Sequence, residues 1–179
     1  MFEQKDFSFI HKYFIAEKQG SLFLIAVGIA AILLAIIFFV LIKNNSSIYK
    51  GAAIALMTIG FIQSIVGFNV YSRTDKQKSD IAYNVGLEPV TYTKNTELPR
   101  VTKMLKGFII YKWVEIACIV CGIVLIFVYR TDTDKSFWVG FGIALALQAI
   151  ILLSVDYFAE KRAGNYKNQL EKITLQNKS

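Results

Sequence analysis

Histidine, cysteine and proline are nearly missing from this 179-residue chain, which has one histidine, two cysteines and two prolines. The lone histidine, His11, cannot supply a multi-ligand zinc set. No His-Glu-x-x-His, phosphate-cradling glycine loop or Gly-x-Ser-x-Gly pattern occurs to support protease, nucleotidase or esterase chemistry. The cysteines, Cys118 and Cys121, lie inside a single apolar run and leave no basis for an extracellular disulfide framework. Their Cys-x-x-Cys spacing invites comparison with membrane enzymes that pass electrons from thiols to quinones. Such chemistry needs access to partner thiols and a second cysteine pair, neither of which this chain offers, so small apolar thiols in a buried helix are expected. The reading is therefore non-enzymatic, with no cofactor and no metal.

What is present in quantity is apolar sequence. Hydrophobic residues make up 55% of the chain and mean hydropathy is +0.47. They concentrate in four runs, residues 22–42, 48–71, 108–129 and 137–158, each long enough to cross a bilayer as a helix. The expected fold is an all-α integral membrane protein, a single domain over 1–179, with the four spans arranged as two helical hairpins in a four-helix bundle. Phe7, Ile10 and Phe14 recur at helical spacing among lysines, which predicts an amphipathic helix over 1–20 lying at the membrane interface. Residues 72–107 read as a loop, irregular around Gly86, Pro89 and Pro99, with Thr96 as an N-cap and Pro99 in the first turn of the helix leading into the third span. Residues 159–179 read as a tail in which Tyr166, Leu170 and Ile173 extend the last helix unless Gly164-Asn165 breaks it.

The net charge of +7 does not point to nucleic acid, because the basic residues flank the apolar runs, where headgroups and topology account for them. Lys5, Lys12 and Lys18 precede the first run. Arg73, Lys76, Lys78, Lys94, Arg100, Lys103 and Lys106 lie between the second and third, and Lys161, Arg162, Lys167, Lys172 and Lys178 follow the fourth. The two short connections hold only Lys43, Lys50, Arg130 and Lys135. The positive-inside rule then places both termini and the middle segment in the cytosol, in the plasma membrane of a bacterium, with no cleavable leader. Aromatic residues near both ends of the runs, such as Tyr49, Trp138, Tyr111 and Trp113, fit interfacial anchors.

Polar residues inside the runs form the candidate site. By depth, Gln63 and Ser64 of the second run, Lys112 and Glu115 of the third, and Asp156 with Gln148 of the fourth share a polar layer in the inner half of the bundle. Glu115 stands out, since a carboxylate seven residues inside a span must be paired, neutral or wet. Two readings stay open. It is either a proton- or ion-binding group, or one member of a satisfied Lys112–Glu115–Gln63 cluster that fixes helix register. Asp156 reads as an interfacial charge, and as a partner of Glu115 only if the third and fourth spans pack with those faces together. Small residues Gly60 and Gly67, then Gly140 and Ala144, mark close helix packing, within the bundle or against another chain.

Gly51–Arg73 also lies over Gly140–Arg162 at an offset of 89, matching Gly51 with Gly140, Ile54-Ala55-Leu56 with Ile143-Ala144-Leu145, Val66 with Val155 and Arg73 with Arg162. If it reflects duplication, the repeat is a parallel one. Three functional classes remain. The first is an interaction protein that binds the bilayer and a partner protein, as an accessory subunit or immunity-type inhibitor does. The second is an oligomeric transporter or channel protomer working through Glu115. The third is a membrane enzyme acting on lipid or thiols.

Overall fold

The computed structural model describes residues 7–40 and 47–175, and helices are the regular secondary structure among them. Lys5, Lys43 and Lys178, the tip of the first connection and the ends of the segments 1–20, 22–42 and 159–179 lie outside the described residues. Four long helices dominate: α1 (Ser8–Val40), α2 (Ser47–Leu87), α4 (Leu98–Tyr129) and α5 (Ser136–Leu175). A short α3 (Pro89–Tyr92) and a π-helical turn, Thr93–Glu97, join α2 to α4, and a 3₁₀ turn, Thr133–Lys135, joins α4 to α5. All four long helices carry a stretch long and apolar enough to cross a membrane.

The helices are longer than the apolar runs. With 41 residues, α2 extends about 60 Å at 1.5 Å per residue, roughly twice a bilayer's hydrocarbon core. The surplus of α1, α2, α4 and α5 lies at one end, which carries most of the lysines and arginines and is called the basic end below. Residues 8–18 are not a separate element. They continue into the first apolar run as part of α1, with Ile10 and Phe14 buried against protein.

The segment 72–107 is likewise helical rather than irregular, because it has a core to face. Thr74, Ile81 and Val85 of α2 and Val101 of α4 are buried, and all but Thr74 pack with Ile10, Tyr13 and Phe14 of α1 and Ala163, Tyr166 and Leu170 of α5. Gly86 does not end α2. The break falls at Glu88 (φ −131°, ψ 74°), the residue that Pro89 pushes out of the helical region. Thr96 is no N-cap. The helix continues back through Thr93–Glu97, and the wider turn there precedes Pro99, whose ring would clash with the carbonyl four residues earlier in a regular helix. At the other terminus α5 passes through Gly164 and Asn165 and buries Tyr166, Leu170 and Ile173.

α2 and α5 are the inner pair; α1 packs along α2 and α4 along α5. The glycines set these contacts. Gly60 approaches Gly28 and Ala31 of α1, Gly67 approaches Ser21 and Ile25, and Gly122 of α4 meets Gly142 and Ala146 of α5. Register runs in opposite directions within each of these pairs. Between α2 and α5 the backbones touch: Gly51 lies against the carbonyl of Phe137, and Gly140 against that of Ile48. Exchanging each residue for its counterpart 89 positions away converts one of these contacts into the other, the relation expected of two halves about a parallel two-fold axis.

Candidate functional site

The polar residues of the apolar zone divide into separate pairs rather than one layer. The close approach of α4 and α5 at Gly122 and Gly142 carries the helices past each other so that Glu115 faces Asp156. Glu115 is only 7% exposed, its carboxyl lies beside that of Asp156, and its Oε2 is buried with no partner. Neighbouring carboxyl groups can share a proton or hold a cation, whereas two bare anions would repel. The condition under which Asp156 would join Glu115 is thus met by the packing.

Lys112 does not pair with Glu115. Its Nζ crosses to Glu160 Oε2 at 2.8 Å, one turn beyond Asp156 on α5, because the antiparallel register puts that carboxylate opposite it. Gln63 is also apart from Glu115. Its Nε2 donates to Gln148 Oε1 at 3.3 Å across the α2–α5 contact, in a buried pair. Ser64 turns back to donate to Gly60 O at 2.8 Å and sits against Gly28. Ala144 is buried with Ala53, Ala55 and Leu56 of α2 and Ala31 and Ala35 of α1. Cys118 is half-buried, Cys121 is exposed, and both are free thiols. Among the described residues no group of three or more histidine, cysteine or acidic side chains is placed to hold a metal ion, and His11 is exposed on α1.

No known protein family, curated protein or solved structure matches this chain.

The densest polar network was not visible from the sequence. At the basic end Glu97, fully buried in the π-helical turn, accepts from Arg100 Nε at 2.8 Å and Nη2 at 2.7 Å and from Tyr166 Oη at 2.9 Å. Tyr166 stacks on Tyr13 with ring centroids 4.2 Å apart and planes 7° from parallel, and Tyr13 donates to Met104 Sδ at 3.7 Å. Burial, reinforced by Glu97, raises the Tyr166 phenol well above its ordinary range, so it remains a donor. Beside this network Glu17 is mostly buried, and its Oε2 has no hydrogen-bond partner although Arg73, Arg100 and Arg162 lie around it. Burial raises the Glu17 carboxyl, and the three arginines only partly oppose that. The available signal was the three-residue spacing of Glu97 and Arg100 in front of Val101, Leu105 and Phe108, a helical stripe that polar neighbours obscure.

Proposed function

We propose that this chain is a non-enzymatic multi-pass membrane protein of the bacterial plasma membrane, its two helical hairpins bringing both termini to the cytosolic side, and that it acts by binding another membrane protein. The observation that carries this reading is the exposure of α4. Only 11% of its best membrane-spanning window is buried within the chain, against 39% for α2. Trp113, Val120, Val124 and Phe127 recur at helical spacing, all more than half exposed, on a helix packed mainly along α5. Lipid can cover such a face, and so can a partner's helix. Gln63 pairs with Gln148 and Lys112 with Glu160 across helix contacts, uses of polar side chains that favour a binding role over a conduit.

The test is capture of the tagged protein from its native membrane in nanodiscs, with the mass of the complex determined. A stoichiometric unrelated protein, lost on Val120→Trp, is the expected result. A homo-oligomer with no companion would overturn it.

One observation favours a second reading, an oligomeric transporter or channel protomer: the apposed carboxyls of Glu115 and Asp156, with one buried oxygen unpartnered. On that reading Glu115→Gln abolishes proton or cation flux in proteoliposomes. On the first, it leaves partner capture intact.

A further inference from the structure

A shallow, open groove of about 470 Å³ between the start of α4 and the last turns of α5 is lined in part by Lys94, Lys103, Lys106 and Lys167, with Thr102 and one acid, Glu171. Glu171 is engaged by Lys167 at 3.5 Å. Lys94, Lys103 and Lys106 make no ion pair with any described residue. Four other cations of this end meet anions: Lys18 and Lys78 share Asp75, Arg100 holds Glu97, and Lys112 holds Glu160. Like charges one turn apart on a helix, as Lys103 and Lys106 are, destabilise it, a cost that a bound anion would offset. The cluster also has a defined height. Lys106 stands two positions before Phe108, where the apolar run of α4 begins, and Tyr111 and Trp113 are exposed one to two turns beyond. That places the upper part of the groove at the level of lipid phosphates.

We propose that this groove binds the headgroup of an acidic phospholipid; the inference rests on the reading that the apolar runs span a membrane. Charge complementarity selects the anion, and the adjacent apolar run gives the acyl chains somewhere to lie. A soluble phosphate compound would meet the same lysines but would gain nothing from their position at the membrane boundary.

The experiment uses the full-length protein in mild detergent with equimolar phosphatidylglycerol and phosphatidylcholine. Retained lipid is read by native mass spectrometry, and thermal midpoints are followed as each lipid or sodium pyrophosphate is added. Preferential retention of phosphatidylglycerol is expected. Substituting glutamine for Lys103, Lys106 and Lys167 together should lower its apparent affinity on the order of 100-fold, and arginine at the same positions should restore it. Lys106→Gln alone should lower it about five-fold, a test that stands even if the triple variant folds poorly. Equal retention of phosphatidylcholine, indifference to the substitutions, or an equal response to pyrophosphate would each overturn the proposal. Release of the wild-type protein from membranes by alkaline carbonate would instead overturn the membrane reading, and this inference with it.

Discussion

The two ends of this molecule are built from the same four helices yet hold together by different means. In the apolar zone the buried core is Ala31, Ala35, Ala53, Ala55, Leu56 and Ala144, and every nearby glycine is pressed against a neighbouring helix. At the basic end the core is Ile10, Tyr13, Phe14, Ile81, Val85, Val101, Tyr166 and Leu170, while Gly86 and Gly164 have nothing within reach of an added Cβ. Large apolar side chains thus point inward at one end and outward at the other, where Phe61, Phe68, Ile110, Trp113 and Phe127 are mostly exposed. Two solvents explain the reversal. In water, burying large apolar surface is the main driving force; in lipid that force vanishes between helices, and close backbone approach through small residues replaces it. The change in packing falls where the apolar runs end, as expected of helices long and apolar enough to cross a membrane.

The substitution expected to have the largest effect falls in the basic-end core. Glu97→Ala would leave Arg100 without its two hydrogen bonds and Tyr166 without an acceptor, a loss of roughly 3 kcal/mol with Arg100 only partly buried. The thermal midpoint in detergent should fall steeply. A shift no larger than that of an exposed-site control such as Lys76→Ala would show that the two ends do not differ as described.

A sharper form of the comparison makes one substitution in two places on α5. A Cβ on Gly140 would overlap the carbonyl oxygen of Ile48, a backbone atom that cannot step aside, so Gly140→Ala should cost about 1–3 kcal/mol or more by forcing α2 and α5 apart. Gly164, in the same helix with open space around it, should gain close to 1 kcal/mol on Gly164→Ala from helix propensity alone. Opposite signs in paired thermal melts are the expected outcome. The same sign at both positions would mean that α5 is packed alike along its length.

Much of the fold was legible because hydropathy in long runs is a strong signal, and the four helices follow from it. What escaped notice lies where the signal is thin. In the segment 72–88 only Ile81 and Val85, with Thr74, mark the buried face among polar residues, so it read as a loop; a helix kept in place by neighbours needs few apolar positions of its own. The Phe7, Ile10 and Phe14 stripe has the pattern of an interfacial face, yet α2, α4 and α5 cover it. The candidate site was legible by depth but not by partner, since depth says nothing about the rotation of each helix. Glu115 and Asp156 face each other, Lys112 reaches Glu160 and Gln63 reaches Gln148 because of rotations that the glycine contacts impose.

The smallest expected effect separates two glutamates of the same core. Glu97 has its hydrogen bonds, whereas Glu17 is partly exposed but keeps one buried, unpartnered oxygen, and its carboxyl is raised by burial, despite Arg73, Arg100 and Arg162 nearby. A carboxyl raised in the folded state holds its proton longer there than in the unfolded chain. Stability should therefore fall as pH rises from the ordinary carboxylate range through the raised value, and level off above it. Glu17→Gln removes that ionisation. The variant should match the wild type at low pH, where both are neutral, and exceed it slightly at neutral pH, the reverse in sign of Glu97→Ala. Melts across pH decide the matter: a variant less stable than the wild type at neutral pH would mean that the three arginines outweigh burial, and that Glu17 belongs to the same ionic network as Glu97.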